Sequence, residues 1–159
     1  MTIKALFLAL TAALAAPALS AQDCAGFHKK AGCSQASEDG FIYNSQSKSG
    51  LFAPGTASNL KVVFYEGFDY SISLCGDKAI GAEMAFKLTD TKTGEILYDN
   101  ATDSKAQHME FSCETTRPVT ITVTVPGSAP AGDKKNVKPQ NGACVGVLIE
   151  QKPSAKVGF

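Results

Sequence analysis

The chain has 159 residues, with 15 basic and 15 acidic side chains, five cysteines, two histidines and no tryptophan. That length fits one domain, and the balanced charge gives no field to attract nucleic acid or an anionic membrane. A cytoplasmic nucleotide enzyme is equally poorly served by this cysteine usage.

Residues 1–21 read as a secretory signal. Lys4 is a minimal basic start, Ala5 to Ala16 is apolar apart from Thr11, and Pro17 to Ala21 supplies the small residues of a cleavage site. Such a stretch is too short to be retained as a membrane span, so no integral membrane segment is expected after cleavage. Ala21 is the expected cleavage point, with Ala18 the second. A periplasmic or secreted location follows, and there disulfides persist.

Residues 22–39 form a polar, glycine-containing segment carrying Cys24 and Cys33, with room for one short helical turn. From Gly40 the period becomes two. Phe41 and Tyr43 make one short alternation, and Leu51 to Ala53 another before the Pro54-Gly55 turn. In LKVVFYE, Leu60, Val62 and Phe64 share a face. In FDYSISLC, Phe68, Tyr70, Ile72 and Leu74 point one way, and Asp69, Ser71, Ser73 and Cys75 the other. AEMAFKLTD sets Ala82, Met84, Phe86 and Leu88 inward. Asp90 to Gly94 is a tight connection in which glycine takes positive φ, and Glu95 to Asp99 returns beside it.

Met109, Phe111 and Cys113 then share one side of QHMEFSC. In PVTITVTV, Val119, Ile121, Val123 and Val125 face the core and the threonines face out. Pro126 to Gly142 lacks a period. In ACVGVLIE, Ala143, Val145, Val147 and Ile149 are in phase, and Pro153 ends the run. Seven or eight short strands without an intervening long helix predict an all-β protein, an antiparallel β-sandwich. The expected organisation is a signal over 1–21, the polar segment over 22–39, the sandwich over 40–151 and a tail over 152–159.

Side-chain parity assigns the cysteines. Cys75 and Cys144 fall in outward rows and suit each other; Cys24 and Cys33 are the local pair; Cys113, in an apolar row, is left as a buried free thiol. Cys75 with Cys113 is the chief rival, since two pairs drawn from five cysteines allow many arrangements.

The remaining chemistry is sparse. Cys24, His28 and Cys33 offer metal-ligand residue types, but a disulfide beside an exposed histidine is the simpler reading. His108 and Cys113 point to opposite faces of a regular strand, and no nucleophile motif accompanies either histidine. Asp99, Asn100 and Asp103 offer oxygens for calcium without the spacing of a calcium loop. Asn100-Ala101-Thr102 matches a glycosylation acceptor. Lys134, Lys135 and Lys138 make the long loop a possible interaction loop, though without the aromatics of a nucleic-acid binder. Tyr43, Tyr65, Tyr70 and Tyr98 are candidates for a groove, with Tyr70 already in a core row. No cofactor or metal is expected.

The run from Leu60 to Cys75, the hairpin DTKTGEILYD, and TRPVTITVTVPG followed by ACVGVLIE resemble small secreted β-sandwich proteins of Bacteroidetes-type bacteria. The same pattern is similar to the pre-peptidase C-terminal class of jelly-roll modules. The resemblance spans about residues 40–151 and carries no functional residue. It implies an accessory or envelope-associated domain without catalysis. The function expected is a noncatalytic extracytoplasmic structural or protein-interaction domain with an envelope protein or glycan as partner. The alternative is a carbohydrate- or peptide-binding module using loops at one end of the sandwich.

Overall fold

The computed structural model describes residues 24–30, 33, 39–78, 80, 83–127 and 142–155. Residues 1–21, Ala82, and the loop lysines Lys134, Lys135 and Lys138 lie outside the described residues. Among the described residues there are nine strands in two antiparallel sheets. The first sheet contains β1 (Ile42–Tyr43), β2 (Lys48–Phe52), β4 (Phe68–Gly76), β7 (His108–Cys113) and β9 (Ala143–Pro153). Its order is β1-β9-β4-β7, with β2 continuing along the same edge of β9 as β1. The second sheet has the order β3-β8-β5-β6, from β3 (Ala57–Phe64), β8 (Arg117–Thr124), β5 (Ala85–Asp90) and β6 (Ile96–Asp99). The all-β sandwich expected from the alternation is thus present.

Cross-strand pairs show why the apolar rows meet. Ile121 lies between Leu60 and Leu88, and Val119 opposite Val62, in the second sheet. Ile72 lies between Met109 and Ile149, and Leu74 opposite Val147, in the first. The inward rows of the two sheets then close on each other as one cluster. Each fully buried aliphatic or aromatic side chain contributes roughly 1.5–3 kcal/mol. Phe64, Tyr70 and Phe111 form an aromatic knot, with centroids 4.6 and 5.0 Å from Phe64. The buried Tyr70 hydroxyl accepts the Tyr65 backbone N–H at 2.9 Å, so its polar end is satisfied.

The β5–β6 connection follows from Asp90 and Gly94. One Asp90 carboxylate oxygen accepts the N–H groups of Lys92 and Thr93, and Gly94 has φ +76°. On the far side of the sandwich, Gln46 performs a different closure. Its side-chain amide donates to the Val63 carbonyl at 3.0 Å and accepts the Val63 N–H at 2.7 Å. A loop of the first sheet thereby supplies one strand-like partner to the free edge of β3.

Not every strand has a single buried face. Ala143 through Glu150 are all buried, and so are Ser71 and Ser73 on the outward row of β4. A layer covers the first sheet from outside, and the N-terminal segment supplies part of it. Its helix α1 (Phe27–Lys30) lies over Gly146, whose missing side chain leaves the space: a Cβ there would stand 2.8 Å from His28 Cα.

The disulfides fix this layer, and the pairing expected from parity is corrected. Cys24 bonds Cys144 and Cys33 bonds Cys75, with Cys113 free and buried. Cys75 does lie opposite Gly146 in the outward row that also holds Cys144. The segment laid over that row brings a cysteine to each of them. Helix α1 separates Cys24 from Cys33, so the local pair does not form. At the other end, β9 continues to Pro153, and Ser154 donates its hydroxyl to Asp69 at 2.6 Å. Residues 152 and 153 therefore belong to the sheet.

Candidate functional site

The sandwich has two long flanks where edge strands face each other across the core. On one flank β6 and β7 bound a cleft of about 230 Å³. Leu88, Leu97, Tyr98 and Val119 line it from the second sheet, and Met109, Phe111 and Cys113 from the first; Phe64 also contributes. A register shift explains the density of apolar groups. Leu88 faces Tyr98 and Thr89 faces Ile96, so Leu97 is the extra residue of a bulge. Both Leu97 and Tyr98 consequently line the cleft.

Asn100 fastens one end of this flank. It is fully buried: its Oδ1 accepts the Phe86 N–H at 2.9 Å, and its Nδ2 donates to the carbonyls of Met84 and Ala106. The glycosylation acceptor nitrogen is thus enclosed and in use. Nor do the neighbouring acids form a calcium loop. Asp99 accepts the Ala101 N–H and pairs with Lys87 at 2.9 Å, while Asp103 accepts the Tyr98 hydroxyl at 2.8 Å. Burial, then the hydrogen bond to Asp103, pushes the Tyr98 phenol up to about 12.

Ser112, Glu114 and Arg117 stand at the other end of the cleft. The Cys113 thiol donates to the Thr115 carbonyl at 3.2 Å, and burial pushes its pKa up. Burial outweighs the nearby Arg117 charge, and the thiol is enclosed rather than in the exposed setting of a reactive cysteine.

The structure brings two histidines to serines, which sequence spacing did not reveal. His28 is buried, contrary to the exposed side chain expected. Ser49 Oγ accepts the His28 backbone N–H at 2.9 Å and lies 2.6 Å from His28 Nδ1. The other ring nitrogen, Nε2, faces the Tyr43 hydroxyl at 3.3 Å, so both ring nitrogens have a hydroxyl partner. The second contact is Ser73 Oγ to His108 Nδ1 at 2.9 Å, with His108 Nε2 3.3 Å from Glu110.

The Ser73, His108 and Glu110 row has the residue types of a hydrolytic triad but not its surroundings. Ser73 is buried in the middle of β4, paired with His108 on one side and Leu148 on the other. The Leu74 N–H donates to the Gln107 carbonyl and β4 is paired on both sides, so these amides serve the sheet rather than an oxyanion. The row is a cross-strand contact. Among the described residues, no group of three or more His, Cys, Asp or Glu is placed to hold a metal ion.

A second exposed feature lies at the β1 edge. Ile42 and Tyr43 are 61% and 43% exposed. The Tyr43 ring stacks on His28 with centroids 5.9 Å apart, and Lys29 Nζ sits 4.0 Å from its centroid. Nearby in the chain, Lys152 Nζ lies 4.2 Å from the Phe41 centroid. The four tyrosines do not assemble into one groove: Tyr43 and Tyr65 are exposed, Tyr70 is in the core and Tyr98 is in the cleft.

No protein-family model and no curated protein matches the chain. Among solved structures it is similar to Aeromonas hydrophila PliG, a periplasmic inhibitor of g-type lysozyme, with 12% identity and a TM-score of 0.40. That match covers 67% of this chain and 82% of PliG. Of the resemblance to Bacteroidetes-type secreted proteins and to the pre-peptidase class, the structure shows the two-sheet antiparallel sandwich. Among the described residues, no helix is long and apolar enough to cross a membrane.

Proposed function

We propose that this protein is a noncatalytic, extracytoplasmic protein-interaction domain whose contact surface is the β1 edge. The observation that carries the reading is the pair of consecutive exposed apolar residues, Ile42 and Tyr43, on a strand whose outer edge has no partner strand among the described residues. Tyrosine backed by a cation is the kind of rigid, amphipathic side chain that anchors protein interfaces. The surface is also held ready. Tyr43 rests on His28, whose helix is joined to the sandwich through the Cys24–Cys144 bond, so little ordering cost remains for binding. Two disulfides suit an oxidising compartment, and the Ser–His contacts serve packing rather than turnover.

A photo-crosslinking amino acid at Ile42 tests this in the native envelope. Ile96, 57% exposed on the other sheet, is the control position. The expected result is one discrete protein adduct from position 42, competed by unmodified protein, and no such adduct from position 96. Equal labelling from both positions, or none from 42, overturns the proposal.

A further inference from the structure

Arg117 opens β8 two residues before Val119, so strand alternation puts it in the core-facing row with Val119, Ile121 and Val123. It lies opposite Phe64, half-buried at the open end of the β6–β7 cleft. Its guanidinium makes no hydrogen bond or ion pair among the described residues. A guanidinium carries five N–H donors in a planar fork, and withdrawing it from water without an acceptor is costly.

The charged neighbours do not supply that acceptor. Asp90 lies close enough for Arg117 to help lower its pKa, after the larger effects of the Thr93 and Lys92 N–H groups that its carboxylate accepts. Glu114 is exposed on the rim, where water and salt screen it. Glu66 lies nearby, its backbone N–H donating to Thr116 Oγ1 at 3.0 Å, but its exposed carboxylate makes no hydrogen bond or ion pair with Arg117 among the described residues. Beyond Arg117 the cleft wall is apolar: Leu97, Tyr98, Met109 and Phe111.

We propose that the cleft binds a short apolar monocarboxylate, with the carboxylate on Arg117 and the hydrocarbon between β6 and β7. Arginine suits this role because its fork matches a carboxylate with two parallel hydrogen bonds. The cleft, at about 230 Å³, is smaller than the roughly 300–1,000 Å³ of drug-sized sites, which limits the body to a short chain or a single ring. A second carboxylate on the ligand would have to leave water for the apolar cleft wall, which disfavours a dicarboxylate. This site is separate from the β1 edge and stands or falls independently of it.

The test is a methyl-detected NMR titration of the intact, disulfide-bonded protein with butanoate, hexanoate and octanoate. Hexanol, hexylamine and adipate serve as comparisons. Shifts are expected at Leu88, Leu97 and Met109, with affinity rising from butanoate to hexanoate. Hexanoate should bind about tenfold more tightly than hexanol, the ratio given by one good charge-assisted contact, and more tightly than adipate, whose second carboxylate would be desolvated. In Arg117→Gln the acid and the alcohol should bind alike, while Glu114→Gln should leave hexanoate binding undiminished. The unmodified protein alone can refute the site: hexanoate no tighter than hexanol, or shifts lying outside the cleft, overturns it. Survival of the acid preference in Arg117→Gln does the same.

Discussion

His28 is enclosed by Ser49 at one ring nitrogen and Tyr43 at the other, and it sits between two lysines. Burial lowers its pKa from 6.5, and the charges of Lys29 and Lys48 lower it further. The unfolded chain therefore takes up a proton at this site more readily than the folded one. Its contribution to stability is complete above pH 6.5 and is lost as pH falls toward the lower folded pKa. A fall in urea midpoint is expected between pH 7 and pH 5, and His28→Asn should flatten it. His108→Asn, on the exposed β7 edge, is the control; a slope removed by that change instead would refute the assignment. Asn100 is the other residue whose meaning depends on surroundings. As a sequence it completes a glycosylation acceptor, whereas in the fold its amide ties β5 to the linker between β6 and β7.

Strand β9 is the element on which the N-terminal layer depends, because both of its faces are covered. Gly146 is the contact point. A methyl group there meets His28 Cα at 2.8 Å and Cys75 Sγ at 2.9 Å, so α1 must move away. Gly146→Ala is expected to cost about 1–3 kcal/mol in urea unfolding, the range for overpacking a filled site. Faster thiol release from Cys24 and Cys33 under mild reductant should accompany it. A neutral effect would mean that the layer is not tightly seated. The strands themselves were legible because one apolar row against one polar row fixes a period of two, as in Val119 to Val125. What covers an outward row was not legible, because alternation gives the face and not the neighbour. Parity thus gives Cys75 and Cys144 the right row but not their partners, Cys33 and Cys24. An outward glycine between valines was the available sign that backbone approaches there. The cleft was hidden for a related reason: the Leu88/Thr89 shift breaks the phase of β6, and Arg117 stood in an apolar phase without being recognised.

For the whole molecule, the two disulfides link the N-terminal segment to β4 and β9 across sequence separations of 42 and 120 residues. Links across such long loops restrict the unfolded chain strongly, so Cys24→Ala with Cys144→Ala should cost about 2–5 kcal/mol. A lower melting temperature and faster hydrogen exchange at Leu148 and Glu150 would report it; an unchanged melt would show that the layer adds nothing to the core. The closure made by Gln46 has a consequence of another kind. It bridges the sheets along the β2–β3 flank, whereas the β6–β7 flank is tied by Asn100 at one end and held by side-chain contact from there to Arg117. Without Gln46 the Val63 N–H and carbonyl would lose this partner, and one register position of the outer β3 edge would stand open to a foreign strand.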